Sequence, residues 1–281
     1  MSRRAELILL SITLIWGGTF AVVKYALNDA SPLTFLAIRF GAASLIFPLV
    51  YRKNYFAMDR GTLLGGLVLG FLLMIGFAFQ TVGLKYTTAS KSAFITGLLV
   101  AFTPIAQAAI ERRMPGRGNL IGVVLVAVGL YLLTSPGGQG FNTGDILTLF
   151  CAISYAIYIV YLDIFSKKHD VSKLTFLQLA VTAVLSLAAA PFVETVHVHF
   201  TAGLFWAFLY TSVLATVLAT YLQTKYQRET TPVRAAIIFS MEPVMANVIA
   251  FFAFGEFVGW VGAIGGALIV AGLLASELLD R

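Results

Sequence analysis

Glu242, Pro243 and Asn247 lie together inside the apolar run Ile237-Ile238-Phe239-Ser240-Met241-Glu242-Pro243-Val244-Met245-Ala246-Asn247-Val248-Ile249-Ala250. A run of that length and composition can lie within a membrane, where an ionisable side chain costs roughly 2.5–3.5 kcal/mol on insertion scales. A helix that only fills space has no use for one. Such a carboxyl can exchange a proton or meet a polar substrate group; its structural alternative is an acceptor that ties the helix to a neighbour. Pro243 removes a backbone donor and crowds the Phe239 carbonyl one turn back, which predicts a bend there. Asn247 is five residues from Glu242 and leaves its face in a straight helix. Its expected role is a hydrogen bond to a neighbouring helix.

Other polar residues inside apolar runs are Lys24, Arg39, Gln80 and Gln223. Lys24 is near enough to the interface to snorkel. Arg39 is deeper, and its guanidinium could hold a carboxylate or phosphate with two hydrogen bonds or could pair with a helix end; a structural role is the expectation. Gln80 and Gln223 could bond substrate alternately from opposite ends of the membrane, or bond neighbouring helices. The aromatic residues Trp16, Phe20, Phe77, Phe94, Tyr155, Tyr158 and Tyr221 are expected to wall a cavity, with Tyr155 and Tyr158 three apart on one helical face. Trp206 and Trp260 read as interfacial anchors. His197 and His199 have no third ligand nearby, so no metal site is expected.

The elements that must position these groups follow from composition. The chain has 281 residues, 59% hydrophobic and 11% charged. A soluble protein could not hide so much apolar surface. The formal charge of +6 comes from basic residues in short loops, which reads as membrane topology and not as a nucleic-acid surface. The single cysteine, Cys151, excludes an internal disulfide. No phosphate-binding loop, nucleotide domain or hydrolase constellation is present, so ATP-driven transport by this chain alone is not expected, and no cofactor is expected.

Ten spans are expected, at 6–28, 32–51, 62–84, 89–111, 117–134, 144–165, 171–193, 203–226, 232–254 and 258–279. Polar backbone in lipid makes each a helix. The first follows Met1-Ser2-Arg3-Arg4 with no small-residue cleavage site and is expected to be retained. Lysine and arginine alternate between the loops. Arg3, Arg4, Arg52, Lys53, Arg60, Arg112, Arg113, Arg117, Lys167, Lys168, Lys173, Lys225, Arg228, Arg234 and Arg281 fall on one side. Lys85 and Lys91, with Asp29, Asp145, Glu194 and Glu256, fall on the other. Both termini are therefore expected in the cytoplasm.

The two halves echo each other. Gln80-Thr81, Thr87-Thr88, Ala93, Ile95, Gly122, Gly129 and Leu130 recur with unchanged spacing as Gln223-Thr224, Thr230-Thr231, Ala236, Ile238, Gly265, Gly272 and Leu273. Upstream, Leu33-Thr34-Phe35-Leu36 echoes Leu174-Thr175-Phe176-Leu177. Five spans per half is an odd number, so the second half begins on the opposite side and the repeats are inverted, a signature of secondary transporters.

Trp16-Gly17-Gly18-Thr19-Phe20, Arg39-Phe40, Ala89-Ser90-Lys91-Ser92-Ala93-Phe94 and Met241-Glu242-Pro243-Val244, in that order and spacing, resemble the drug/metabolite transporter superfamily and its ten-helix EamA branch. The resemblance covers essentially the whole chain as two EamA-like repeats at 5–135 and 144–277. It implies an all-α integral membrane protein of ten helices around a central cavity. It also implies alternating access and export of small metabolites from the cytoplasmic (inner) membrane. Amino acids are the leading substrate class, and multidrug efflux of aromatic cations is the alternative; a membrane enzyme or scaffold ranks below both. The expected substrate contacts are Glu242, Gln80, Gln223, Tyr155, Tyr158, Trp16, Asn247 and Arg39, with Glu242 coupling to protons. The expected partners are a small molecule and the lipid bilayer. Gly122, Gly129, Gly262, Gly265, Gly266 and Gly272 permit close helix packing; the resemblance implies that the last helices of each half pack together, and some family members dimerise there, which leaves a homodimer as an option. One departure from the pattern is Pro104, which lies one turn beyond Val100, the position matching Pro243, so unequal kinks are expected.

Overall fold

A computed structural model describes residues 3–53, 55, 57–134, 142–254 and 259–279, with the backbone alone at 134, 249–254 and 277. Glu256 and Arg281, two of the charges used for orientation, lie outside the described residues, as do residues 135–141.

The helices start where the sequence supplies caps. They are α1 (Arg3–Gly17), α2 (Thr19–Ala26), α3 (Pro32–Val50), α4 (Arg60–Tyr86), α5 (Ala89–Gly97), α6 (Leu99–Glu111) and α7 (Arg117–Thr134). The chain continues with α8 (Thr143–Lys168), α9 (Val171–Val193), α10 (Ala202–Leu209), a π-helix (Tyr210–Leu218) and α11 (Ala219–Tyr226). It ends with α12 (Pro232–Phe239), α13 (Glu242–Phe254) and α14 (Gly259–Leu279). Asp59 caps α4, Thr88 caps α5, Asp170 caps α9 and Thr231 caps α12, each accepting from a free N–H of the first turn. Asn142 and Asp145 form a reciprocal capping box on α8. The start of α3 is served from far along the chain: Glu194 accepts from the backbone N–H groups of Leu33 and Thr34, each at 2.9 Å.

Among the described residues, eight helices are long and apolar enough to cross a membrane. The helix Arg117–Leu133 is apolar but shorter. Large apolar side chains point outward, including Phe192 at 90% and Trp260 at 80% exposure. Such a surface is stable only against lipid.

Inside, α7 packs along α14, α4 lies against α8 and α9, α3 against α9 and the π-helix, and α1 against α11, α12 and α13. Four helical stretches are irregular at mid-length. The chain breaks at Gly18 between α1 and α2 and at Leu98 between α5 and α6; it winds into the π-helix between α10 and α11 and breaks at Ser240 and Met241 between α12 and α13. Pro243 bends its helix as expected, and α12 ends at Phe239, whose carbonyl the proline cannot serve. The break at Leu98 is not beside Pro104. It matches Met241 at the offset that separates Gln80 from Gln223 (241 − 98 = 143; 223 − 80 = 143). The kinks therefore coincide in position and differ in cause. At Leu98 the preceding Gly97 lets Leu130 approach so closely that an added Cβ would lie 3.0 Å from it.

Candidate functional site

The irregular spans meet around one internal cavity, with about 80 Å³ open to water centres. Helix breaks and π-turns leave backbone groups without their usual partners, and inside a bundle these are served by side chains. The Trp16 indole N–H does this by donating to the Ala215 carbonyl of the π-helix at 3.1 Å. Its ring meets Phe239 edge-on with centroids 5.4 Å apart. Gly17 lets α1 lie against the start of α13: an added Cβ would be 3.0 Å from the Glu242 carbonyl.

Seven of the eight expected contact residues line this cavity: Trp16, Arg39, Gln80, Tyr155, Tyr158, Gln223 and Glu242. Glu242 is half-buried at the wall, and its carboxyl makes no hydrogen bond or ion pair with any described residue. Tyr155 sits over Gly76, where a Cβ would be 2.2 Å from the ring, and meets Phe77 edge-on at 5.5 Å. Its buried hydroxyl has no hydrogen-bond partner among the described residues. Tyr158 anchors its hydroxyl on Gln178 Oε1 at 2.8 Å, and Gln178 Nε2 donates to Thr224 at 2.9 Å.

Arg39 is buried on the cavity wall. Its Nε donates to Thr216 Oγ1 at 2.8 Å, and the guanidinium lies 4.7 Å from the Phe77 ring centroid. The terminal nitrogens make no hydrogen bond with a described residue. A desolvated guanidinium over an aromatic face, with free donors, can take an anionic group.

Gln80 and Gln223 both line this cavity. Both lie near the C-terminal end of their helices, and helical side chains lean toward the N-terminus, which here brings the two amides inward. Gln80 donates to Thr96 at 3.2 Å and Gln223 to Gln227 at 3.2 Å.

Asn247 is off the cavity. Its amide donates to the Pro243 carbonyl of its own helix at 2.9 Å and not to a neighbour. Phe20, Phe94 and Tyr221 do not wall the cavity either. Phe20 is in the core, Phe94 packs on Tyr131, and Tyr221 lies on Tyr51 with centroids 4.1 Å apart. Lys24 does not snorkel; its ammonium caps α4 by donating to the carbonyls of Leu84 and of Thr87, the latter at 2.9 Å. His197 and His199 have ring centroids 6.1 Å apart, and no cluster of three metal-ligating groups occurs among the described residues.

Thr19, Leu73, Thr96, Leu99, Thr220 and Phe239 also line the cavity and were not singled out by sequence. The repeat carried the signal for them. At the 143-residue offset, Phe77 matches Thr220, Thr96 matches Phe239 and Leu99 matches Glu242. At an offset of 139, Trp16 matches Tyr155 and Thr19 matches Tyr158 (155 − 16 = 139; 158 − 19 = 139).

A lipid-facing exterior around an internal cavity with carboxyl, guanidinium, amide and aromatic groups on its wall defines a multi-pass membrane protein of the transporter class. The sequence profile of the EamA-like transporter family matches residues 3–135 and again 142–277, and the chain belongs to that family. It is a transporter and not an enzyme.

The chain is 35% identical over 274 residues to an Archaeoglobus fulgidus protein named "Uncharacterized transporter", covering 98% of this chain and 86% of that one. It is 29% identical over 178 residues to an Escherichia coli protein named "Probable amino-acid metabolite efflux pump", covering 60% of this chain and 55% of that one. A solved crystal structure superposes with a TM-score of 0.83 at 19% identity, over 100% of this chain and 99% of the other, which shows the shared fold.

Proposed function

We propose that this chain is a secondary active exporter of small metabolites, with amino acids as the leading class, working by alternating access in the cytoplasmic (inner) membrane. In this reading ten spans form two inverted five-helix repeats, 5–135 and 144–277, with both termini in the cytoplasm. Substrate sits in the central cavity between Arg39 and Glu242, with Gln80, Gln223, Trp16, Tyr155 and Tyr158 around it. Glu242 couples transport to protons by giving up and regaining one as the cavity opens to each side.

The observation that carries the reading is the carboxyl of Glu242, without a hydrogen bond or ion pair to a described residue, on the wall of an internal cavity that also holds the free terminal donors of Arg39. A zwitterion supplies the complement to both. The family and the name of the Escherichia coli relative support export of this class. The aromatic wall of Trp16, Phe77, Tyr155 and Phe239 favours a second reading, efflux of aromatic cations, which stack on such faces.

The test is thermal stability of the purified protein in detergent, with amino acids, organic anions, sugars, nucleosides and lipophilic cations at two pH values. A ligand at a hundredfold excess over its dissociation constant adds about 2.7 kcal/mol of stability. Shifts confined to amino acids support the first reading. Shifts by many unrelated cations replace it with the second.

A further inference from the structure

Two largely buried ion pairs lie outside the cavity. At one, Lys91 at the start of α5 pairs with Asp145 at the start of α8 at 2.5 Å, and Thr87 Oγ1 donates to the same carboxylate at 2.7 Å. The side chains are 13% and 0% exposed. At the other, Arg234 at the start of α12 pairs with Glu6 on α1. Its Nη2 donates to Glu6 Oε2 at 2.9 Å and its Nη1 to the Ser276 carbonyl at 3.3 Å.

The pairs stand at matching positions. Arg234 follows Lys91 by the offset that relates Glu242 to Leu99 (234 − 91 = 143), and Asp145 follows Glu6 by the offset that relates Tyr155 to Trp16 (145 − 6 = 139). Each pair takes its cation from one family-matched segment and its acid from the other. They also stand at opposite ends of the bundle. Lys24 bonds the Thr87 carbonyl, next to the first pair. Glu6 is 18 residues back along that same span (24 − 6 = 18), about 27 Å at helical rise. The cavity lies between. Leu99 and Glu242 each follow the basic member of a pair by eight residues (99 − 91 = 8; 242 − 234 = 8), about 12 Å.

We propose that Lys91–Asp145 and Glu6–Arg234 are the two gates of the cavity, one parting while the other holds. The proposal rests on the alternating-access reading above. A buried charge is costly without its partner, so each pair keeps its end shut until water or substrate enters to solvate both charges. Each pair bridges the two segments that must separate at that end. Both pairs are formed in this structure, and the cavity lies between them.

The test is sided labelling of a cavity thiol in vesicles of known orientation. The full chain carries Cys151→Ala and the reporter Leu99→Cys, and the probe is sulfonatoethyl methanethiosulfonate, a small membrane-impermeant thiol reagent. Lys91→Met and Asp145→Asn should each speed labelling at least tenfold from the face that bears Thr87, and from that face alone. Arg234→Met and Glu6→Gln should do the same from the other face. Lys91→Arg, which keeps the pair, should label as slowly as the parent. Unchanged rates, or acceleration from the same face for both pairs, overturn the proposal. Loss of folding in all four neutralised chains, judged by size-exclusion chromatography, overturns it too, because the pairs are then structural. The readout needs no substrate: absence of sidedness in a chain that still transports removes the gates alone, whereas sided opening in a chain that moves no substrate removes the transport reading.

Discussion

Leu99 and Glu242 stand at matching positions of the two family segments, 143 residues apart (242 − 99 = 143), and both line the same cavity. Trp16 with Tyr155, Phe77 with Thr220 and Gln80 with Gln223 repeat the relationship. The cavity is therefore two-fold in position and one-sided in chemistry. Where one half has methyl groups, the other has a carboxyl. Arg39 is likewise single: at the offset relating Leu33 to Leu174 (174 − 33 = 141), its counterpart is Ala180. The other half of the fold does without these charges, which supports the proposed role of both toward what the cavity holds.

Glu242→Gln keeps the shape and the hydrogen-bonding capacity of the side chain and removes its titration. Since the carboxyl has no hydrogen bond or ion pair with a described residue to lose, the variant should fold and melt at or above the parent's temperature. Its transport in proteoliposomes should no longer vary with pH. A variant that retains the parental pH profile would sink the coupling role of Glu242.

Arg39 holds the buried Thr216 hydroxyl and leaves its terminal nitrogens free. Arg39→Met leaves that hydroxyl unpaired, a loss of about 1–3 kcal/mol in stability. Arg39→Lys supplies charge without the planar fork. Both should weaken binding of a carboxylate-bearing ligand at least tenfold, roughly 1.4 kcal/mol. Binding of its decarboxylated analogue should change much less. Equal losses for the two ligands, measured by calorimetry, would show that Arg39 acts on the scaffold and not on the ligand.

Helix positions were legible in the sequence because the apolar runs set them; the caps at Asp59, Asp170 and Thr231 and the proline at the start of α3 fix the ends. The described helices begin and end within three residues of the expected spans. The carboxyl at Glu242 was legible because a charge inside an apolar run has so few uses. What a side chain faces was less so. Phe20, Phe94 and Tyr221 have the same type and depth as Trp16 and Tyr155, and only the rotation of each helix separates wall from core. The break at Leu98 has no proline to announce it. Lys91, Asp145, Glu6 and Arg234 were read as loop charges or passed over, because an ion pair between distant segments leaves no mark in local sequence.

The glycines of α7 and α14 make a sharper test of packing. A Cβ on Gly265 would stand 2.3 Å from the Leu133 backbone nitrogen, and one on Gly129 would stand 2.6 Å from the Gly265 carbonyl. Backbone cannot move aside as a side chain can, so Gly265→Ala should cost about 1–3 kcal/mol. Gly41 in α3 has nothing within 4 Å of an added Cβ. Gly41→Ala should be neutral or gain roughly 0.5–1 kcal/mol from helix propensity. Melting temperatures in one detergent decide it: equal effects at the two sites would mean that α7 and α14 do not pack this closely.

Asp59 and Asp170 predict how stability responds to acid. Asp59 accepts from the Thr62 hydroxyl and from the Thr62 N–H at 2.9 Å, and these bonds hold its pKa down at about 2. Burial pushes Asp170 up, but Lys53 at 2.8 Å and the N–H groups of Lys173 and Ser172 outweigh it, leaving it below the usual carboxylate range. The unfolded chain titrates these groups near 3.9. A depressed folded value contributes stability that is complete above the unfolded pKa and is lost as pH falls through the folded one. The melting temperature should therefore hold down to about pH 4 and decline toward about pH 2. Asparagine still caps a helix but carries no charge, so the Asp59→Asn, Asp170→Asn double variant should flatten that decline. Because the bonds that depress these two pKa values sit at the starts of α4 and α9, the flattening should come with slower acid-induced hydrogen exchange in those first turns; an unaltered decline would place the acid sensitivity elsewhere in the protein.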